Sequence, residues 1–162
     1  MKQGLLPAVP PNARVLLLGS FPGEESLRQS QYYAHPRNHF WRLLGDVLAE
    51  PLAELTYAQR LRRLAQHRIG VWDIITGCER EGSLDGAIRN ASLSQFEWLA
   101  DHAPQLRLIA MNGQKAGSAE RRIAALGYET LVLPSSSPAN TLAYAEKLHA
   151  WQALRSHIAR RG

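Results

Sequence analysis

Residues 31–41 (QYYAHPRNHFW) bring together side-chain types that suit a nucleotide ligand. An aromatic ring can stack on a base, and the guanidinium of Arg37 can contact a phosphate. Tyr32 and Tyr33 are adjacent, and neighbours in an extended segment point to opposite sides, so both cannot face one core. Asn38 is the one amide close to the basic residues of this segment. We therefore expect one tyrosine and Asn38 to be available for a ligand.

Three further polar segments follow predicted strands. Residues 19–26 (GSFPGEES) form a turn that can expose backbone N–H groups, Asn112 and Gly113 follow the third strand, and residues 133–140 (LPSSSPAN) contain a serine-rich loop after the fourth. A serine-rich loop at the start of a helix favours an anion. Each segment also has an ordinary structural explanation, because a tight turn, a helix N-cap at Asn112 and a capping turn would use the same residue types.

The motifs that the chain lacks exclude several other chemistries. The turn after the first strand contains neither the Gly-Lys-Ser/Thr of a P-loop nor a GxGxxG pattern, and no GxSxG nucleophile motif occurs. Cys78 is the only cysteine, which excludes internal disulfides and cysteine-based zinc or iron–sulfur sites. His35 and His39 are four residues apart, but Pro36 lies between them and the HExxH glutamate is missing. We therefore expect no metal ion.

Short apolar runs alternate with helical patterns along the chain. Continuous apolar strands separated by helices are typical of a parallel sheet covered on both faces, so we predict an α/β/α sandwich around a four-stranded parallel sheet. The predicted strands are residues 14–19, 69–75, 106–111 and 130–133. The predicted helices are residues 39–49, 57–67 and 113–126, and a last helix with Ser137 as N-cap, Pro138 in its first turn and an apolar stripe from Leu142 to Ile158. In such sheets, ligands bind at the carboxyl ends of the strands.

Length and composition favour one soluble domain with an acidic partner. The chain has 162 residues, 45% of them hydrophobic, and we predict one domain over residues 1–162, in which residues 1–11 could form an N-terminal arm. No apolar run approaches the roughly 20 residues of a membrane span, so we expect a cytoplasmic protein. The sequence gives no sign of oligomerisation, so a monomer is the default expectation. The net charge is +5 and 16 of the 19 basic residues are arginine, which favours nucleic acid, although a high-GC genome would also enrich arginine.

Two of these segments together resemble the signature motifs of the uracil-DNA glycosylase superfamily. Residues 19–41 (GSFPGEESLRQSQYYAHPRNHFW) and 133–140 (LPSSSPAN) are most similar to its hypoxanthine-DNA glycosylase branch, often called family 6, and AHPxNxFW is shared with the mismatch-specific uracil/thymine glycosylases. The segment VWDIITGCEREGSLD is similar to that branch too, and the likeness covers roughly residues 17–140. The resemblance implies a four-stranded parallel sheet with helices on both faces. It also implies hydrolysis of the N-glycosidic bond of a deaminated base in DNA, without a metal or organic cofactor.

The resemblance further implies roles for individual residues. Many members of the superfamily hold a catalytic Asp or Asn immediately after the glycine of the first strand, where this chain has Ser20, followed by Phe21. In the branch that the chain resembles, the Asn of the HPxN segment takes the water-positioning role, and here it is Asn38. The implied base-binding residues are Gly19, Tyr33, which stacks on the flipped base, and Asn112, whose amide reads the base edge. The implied contacts with the DNA backbone are Ser135, Ser136, Ser137, Asn140 and Arg37.

The chemistry of these groups suits such a reaction. An amide such as that of Asn112 offers donors and an acceptor, and hypoxanthine and uracil both present a ring N–H beside a carbonyl, whereas adenine and cytosine present the opposite pattern. The site lacks the paired carboxylates of most glycosidases. We therefore expect the glycosidic bond to break before water attacks. Asn38 would orient the water, and backbone N–H groups at Ser20 and Phe21 would stabilise the anionic base. The carboxylates left as alternative bases are Asp73 and Asp85.

Two other functions stay open on the sequence alone. A non-catalytic nucleic-acid-binding module could keep this fold after losing the acidic residue of the first turn, although such a module need not keep Asn38. A small-nucleotide binder or hydrolase could use the same strand-end cleft. The serine-rich loop and the arginine content favour DNA over a free nucleotide.

Overall fold

The computed structural model describes residues 1–158, and a parallel β-sheet lies at its centre. The order of the strands across this sheet is β3 (Ile69–Asp73), β2 (Val15–Gly19), β6 (Leu108–Asn112) and β7 (Glu129–Leu133). All residues of β2, β3 and β6 are buried, which explains their continuous apolar sequence, because both faces of the sheet are covered. The predicted four-stranded parallel sheet is confirmed.

Two apolar clusters fill the spaces between this sheet and its helices. The helices that contribute to the first cluster are α2 (Phe40–Leu48), α3 (Tyr57–Gln66) and α7 (Tyr144–Trp151). The helices that contribute to the second are α1 (Glu24–Gln29), α4 (Leu99–His102), α5 (Gln114–Gly117) and α6 (Glu120–Ala124). Successive residues of β2 enter opposite clusters, Leu17 the first and Leu18 the second. The helices therefore cover both faces of the sheet, as predicted.

A second, antiparallel sheet was not predicted. Its strands lie in the order β1 (Lys2–Gln3), β4 (Ile75–Glu79) and β5 (Arg89–Leu93). The predicted strand over residues 69–75 was wrong at its end, because the chain leaves the parallel sheet after Asp73 and Ile75 begins β4. Since β5 is exposed along its whole length and β1 has two residues, neither carries an apolar pattern that the sequence could reveal.

The N-terminal segment lies along the edge of the parallel sheet. Ala8 forms an antiparallel bridge with Val71 of β3, and its two N–H···O distances are 3.0 and 2.9 Å. The hydroxyl of Tyr32 donates to the carbonyl of Leu6 at 2.8 Å, while the side chain of Leu6 itself is exposed. The segment thus covers backbone groups that the edge strand β3 would otherwise leave unpaired. No helix within residues 1–158 is both long and apolar enough to cross a membrane.

The predicted helix over residues 113–126 is divided in the structure. It forms two short helices, α5 and α6, separated by Ser118 and Ala119. Both of these residues donate backbone hydrogen bonds to the residue three positions earlier, Lys115 and Ala116, which tightens the chain into a turn between the helices.

The start of the last helix was also predicted wrongly. Helix α7 begins at Tyr144, so Ser137 is not its N-cap and Pro138 is not in its first turn. The Ser137 hydroxyl accepts the N–H of Ala139 at 3.1 Å, and such a side-chain contact stabilises a turn rather than a helix. Leu142 is 40% exposed, and the α-helix ends at Trp151, after which a 3₁₀ turn (Gln152–Ser156) carries the buried Leu154. The predicted helix was therefore too long at both ends, whereas Leu154 and Ile158 of its predicted apolar stripe do pack in the core.

Candidate active site

A cleft of about 1100 Å³ opens at the carboxyl ends of the strands of the parallel sheet. The loops that follow β2, β6 and β7, the last residue of β3 and the connection between β4 and β5 all contribute to its lining. The residues predicted from the sequence that line it are Gly19, Ser20, Phe21, Tyr33, Asn38, Asn112, Ser135, Ser136, Ser137 and Asn140. Arg37 lies in an adjoining depression, which Asn38 and Asn140 also line. The structure thus brings these candidate residues together around one cleft and its margin.

Asn112 ends β6, and Ser136 holds its amide by two hydrogen bonds. The Ser136 N–H donates to Asn112 Oδ1 at 2.9 Å, and Asn112 Nδ2 donates to the Ser136 hydroxyl at 2.9 Å. A backbone N–H is a donor only, so it must face the amide oxygen, and this fixes the orientation of the amide. One amide hydrogen and one lone pair remain for a ligand. The structure does not use Asn112 as a helix N-cap, because Gly113 occupies that position.

Gly113 has a conformation and a contact that require glycine. Its φ is +95°, in the left-handed region, and a Cβ at this position would lie 3.0 Å from the Cβ of Ser135. Because Gly113 has no side chain, the serine-rich loop can pack against the backbone between Asn112 and α5. This close approach brings residues 135–137 next to the end of β6.

Gly19, the last residue of β2, leaves room for two polar side chains. A Cβ at this position would lie 2.5 Å from Oδ1 of Asp73 and 2.7 Å from the hydroxyl of Tyr33. Gly19 and Asp73 are partners in register at the ends of β2 and β3. The missing side chain thus lets a carboxyl and a phenol approach the same point in the floor of the cleft.

Tyr33 turns into the cleft, whereas its neighbour Tyr32 is buried in the core. Tyr33 has a left-handed φ of +54°, and its ring stacks on Phe40 with centroids 3.8 Å apart and an interplanar angle of 11°. One face of the Tyr33 ring is therefore already covered. Its hydroxyl is buried without a hydrogen-bond partner among residues 1–158. Burial, followed by the charge of Asp73, raises the pKa of Tyr33, and the nearby Asn112 amide opposes that rise.

Asn38 lies just before α2. Its Oδ1 accepts the N–H of Phe40 at 2.9 Å, and its own N–H donates to the carbonyl of His35 at 2.9 Å. Phe40 and Trp41 are buried, and the indole N–H of Trp41 donates to the Tyr32 carbonyl at 3.2 Å, which anchors the start of the helix. Within the described part of the chain, the Asn38 Nδ2 group makes no hydrogen bond, so it is available to a ligand.

Two carboxyl groups lie beside the turn that follows β2. The hydroxyl of Ser20 donates to Oδ1 of Asp85 at 2.6 Å. Asp73 is only 5% exposed, and its Oδ2 has no hydrogen-bond partner among the described residues. Burial, followed by the charge of Asp85, raises the pKa of Asp73 to about 7, and Arg80 opposes the rise. Phe21 is buried in the core, so only its backbone is placed to contact a ligand.

The serine-rich loop is stabilised by its own side chains. The Ser135 hydroxyl accepts the N–H of Ser137 at 3.1 Å, and Asn140 Nδ2 donates to the Ser135 carbonyl at 3.0 Å. Lys147 of α7 is fully buried and donates to the Ser137 carbonyl at 3.3 Å. Ser136 is 1% exposed, so its hydroxyl faces Asn112 rather than solvent. Ser135, Ser137 and Asn140 are partly exposed and remain placed for contact with a polymer.

Two exposed basic residues on the rim of the cleft were not among the predicted contacts with the DNA backbone. Lys115, in α5, and Arg89, at the start of β5, both line the cleft. Lys115 follows the end of β6 by three residues, so the rule that ligands bind at strand ends could have identified it. Among residues 1–158, no group of three or more His, Cys, Asp or Glu side chains is arranged to hold a metal ion.

The fold and the cleft define an α/β/α protein with its ligand site at the carboxyl ends of a parallel sheet. The sequence profile of the uracil DNA glycosylase superfamily matches residues 6–155 of the chain. The chain therefore belongs to the uracil DNA glycosylase superfamily, and the resemblance identified from its motifs is confirmed.

Individual relatives match nearly the whole chain. A hypoxanthine DNA glycosylase of Methanosarcina barkeri (strain Fusaro / DSM 804) is 43% identical over 150 residues, which cover 93% of this chain and 95% of the relative. A hypoxanthine DNA glycosylase of Methanosarcina acetivorans is 41% identical over 157 residues, 97% of this chain and 99% of the relative. A solution NMR structure of a protein from Methanosarcina acetivorans, assigned to the uracil DNA glycosylases, matches the fold with a TM-score of 0.88. The two sequences are 42% identical, and the match covers 96% of this chain and 97% of the other.

Proposed function

We propose that this protein is a DNA glycosylase that hydrolyses the N-glycosidic bond of a deaminated base, hypoxanthine or uracil. The observation that carries the proposal is the Asn112 amide, which Ser136 holds in one orientation at the foot of the cleft. The name that the two Methanosarcina relatives bear, hypoxanthine DNA glycosylase, supports the same activity. One cleft accommodates one flipped base, so we propose that a single copy of the chain is sufficient.

The base enters the cleft after it has turned out of the duplex, because its glycosidic bond is inaccessible inside the stack. Phe40 already covers one face of Tyr33, so the opposite face receives the base, and stacking there contributes about 1–3 kcal/mol. Ser136 occupies the edge of the Asn112 amide between Oδ1 and Nδ2, so the remaining amide hydrogen is the group that donates to the base carbonyl. Adenine and cytosine present an amino group in place of that carbonyl and would leave this buried donor unpaired.

Bond cleavage precedes water attack in this proposal. Asn38, which also lines the cleft, orients a water molecule toward the sugar carbon. The backbone of the turn at Ser20 and Phe21 stabilises the departing base as its negative charge develops. DNA phosphates contribute to the stability of the cationic sugar.

The rim of the cleft supports DNA as the partner. Arg37, Arg89 and Lys115 are exposed, line the cleft or the adjoining depression, and can neutralise phosphates on either side of a flipped nucleotide. Ser135, Ser137 and Asn140 add neutral donors at the same surface. Phosphate contacts of this kind position DNA without reading its sequence.

The decisive experiment is incubation with duplexes that carry a single deoxyinosine, deoxyuridine or deoxyxanthosine, followed by alkali to cut abasic sites. We expect cleavage of the deoxyinosine or deoxyuridine duplex and none of an undamaged duplex. Asn112→Ala serves as the matched variant and should lose most of the base release. If the protein binds damaged duplexes but releases no base from any of them, it is a non-catalytic binding module and the proposal is wrong.

A further inference from the structure

A buried carboxyl group in the floor of the cleft has no role in the function described so far. Asp73 ends β3, is paired in register with Gly19, and lines the cleft at 5% exposure. Its Oδ2 makes no hydrogen bond with residues 1–158. Burying an ionised carboxylate without a hydrogen-bond partner costs folding free energy. The contacts of Oδ2 therefore give no structural reason for a carboxyl group at this position.

The charged groups that face Asp73 determine its protonation. Asp85 repels a negative charge on Asp73, and Arg80, whose guanidinium donates to the Pro22 carbonyl, attracts one. The phenols of Tyr32, Tyr33 and Tyr57 are the other titratable groups that sense this carboxyl. Burial is the largest effect, and together with Asp85 it raises the pKa of Asp73 to about 7. Near neutral pH the carboxyl is therefore present in both its acid and its carboxylate form.

The position of Asp73 places it on the side of the cleft that receives the base. Its Oδ1 lies 2.5 Å, and the hydroxyl of Tyr33 2.7 Å, from the point that a Gly19 Cβ would occupy. Tyr33 is the ring on which the base stacks, and the turn after Gly19 stabilises the departing base in the proposed function. An attacking water must approach the sugar carbon from the face opposite the leaving base. Asp73 is thus better placed to donate a proton to the base than to take one from water.

We propose that Asp73, in its protonated form, is the general acid that donates a proton to the leaving base. This inference rests on the proposed glycosylase function. As the bond between the sugar carbon and the base nitrogen breaks, its electron pair stays with the base, and the Asp73 proton passes to an acceptor atom of that base. The proton neutralises the negative charge that develops on the base as the bond breaks, and Asp73 becomes a carboxylate. Water adds to the sugar carbon, and the proton that it releases returns to Asp73 through solvent.

The test is a single-turnover pH–rate profile on one deoxyinosine duplex for the wild type and for Asp73→Asn, which has the same shape and cannot donate an acidic proton. We expect the wild-type rate to fall by about tenfold per pH unit above a midpoint near 7. Asp73→Asn should be slower by about 10²-fold or more at pH 6 and should lose this limb of the profile. Thermal unfolding followed by circular dichroism checks that the variant is folded.

Asp85→Asn is the matched variant that tests the cause of the midpoint. The amide oxygen that it introduces can still accept the hydrogen bond from the Ser20 hydroxyl, but the uncharged amide no longer repels a charge on Asp73. The midpoint of its profile should therefore move to lower pH than that of the wild type.

The outcomes separate this inference from the proposed function. If the fall in rate above pH 7 persists in Asp73→Asn, the acid role is overturned. It is also overturned if the wild-type rate rises with pH and this rise is absent from Asp73→Asn, because a rate that rises with pH is the behaviour of a base. In both of these cases the glycosylase function would stand. A wild-type protein that releases no base from any duplex would overturn the function itself, and the inference with it.

Discussion

The backbone N–H of Ser136 donates to Oδ1 of Asn112 at 2.9 Å, and Asn112 Nδ2 donates to the Ser136 hydroxyl at the same distance. This pair joins the end of β6 to the loop that follows β7, two neighbouring strands of the parallel sheet. The Ser136 carbonyl also accepts the N–H of His39 at 3.0 Å, which joins the loop to the segment that carries Asn38. One buried serine thus holds the proposed base-reading amide and the backbone of the segment that carries the proposed water-positioning amide.

Asn112→Asp should reduce activity on deoxyinosine DNA strongly. The carboxylate can still accept the Ser136 N–H, but it cannot donate to the base carbonyl and it repels the negative charge that develops as the bond breaks. Protonation restores one donor, so the ratio of wild-type to variant rate should shrink as the pH falls. Single-turnover pH–rate profiles of both proteins measure this ratio.

Asn140→Asp is the matched control for that change. It adds the same negative charge to an amide of the same cleft, whose Nδ2 donates to a backbone carbonyl of the serine-rich loop. We expect this variant to bind DNA more weakly. The ratio of wild-type to variant single-turnover rates should not depend on pH. If the Asn112→Asp profile is superimposable on that of the wild type, Asn112 only braces the loop.

Asn38→Ala should slow single-turnover base excision by about 10²-fold or more, because a positioned group in proton-transfer chemistry typically contributes that much. DNA affinity, measured by fluorescence anisotropy, should change little. The substitution also removes the hydrogen bond from the Phe40 N–H at the start of α2, at a cost to stability of about 1 kcal/mol. Asn38→Asp keeps that acceptor and separates the two effects. Near-wild-type cleavage by Asn38→Ala would remove Asn38 from the mechanism.

The parallel sheet could be predicted because its strands are buried on both faces. The apolar residues of β2 pack into clusters on both faces of the sheet, and the run ends at Gly19, where Asp73 and Tyr33 leave no room for a side chain. The antiparallel sheet could not be predicted, since β5 is exposed throughout and β1 depends on pairing with distant residues of β4. The sequence around Ser137 and Pro138 has the composition of a helix start, but its side chains stabilise turns instead.

The candidate site was predictable residue by residue but not in its contacts. The sequence placed Asn112 and the serine-rich loop at strand ends, yet the pairing of Asn112 with Ser136 joins residues 24 positions apart. Asp73 was visible in a predicted strand, but its burial depends on the missing side chain of Gly19, which belongs to another strand. Lys115 has the same strand-end signal as Asn112, although the sequence prediction did not include it.

DNA affinity should fall as the salt concentration rises, with a slope of log K against log salt of about −0.9 per neutralised phosphate. Arg37→Ala and Lys115→Ala should each make the slope shallower by about 0.9, since their cations lie at the margin of the cleft. Arg62→Ala is the matched control, because Arg62 is exposed on α3 and lines neither depression. An affinity that does not respond to salt would favour a free nucleotide as the ligand.

Asp73 should also make the folded protein less stable as the pH rises from about 4 to 7. Its pKa is raised from 3.8 to about 7 on folding, so the folded state binds more protons than the unfolded state within this window. Stability falls with rising pH wherever the folded state binds more protons. The penalty is absent below the unfolded pKa and is complete above the folded one, where it amounts to about 4 kcal/mol.

Asp73→Asn should remove this penalty, because the amide has no charge to bury. The variant and the wild type should have similar free energies of unfolding at pH 4, and the variant should be more stable by up to about 4 kcal/mol at pH 8. Urea unfolding followed by circular dichroism at a series of pH values measures the difference. Asp101→Asn makes the same chemical change on an exposed side chain of α4 and should leave the wild-type pH dependence in place. A difference between wild type and Asp73→Asn that stays constant from pH 4 to 8 would show that Asp73 does not gain a proton on folding, and the acid role proposed for it would then lose its physical basis.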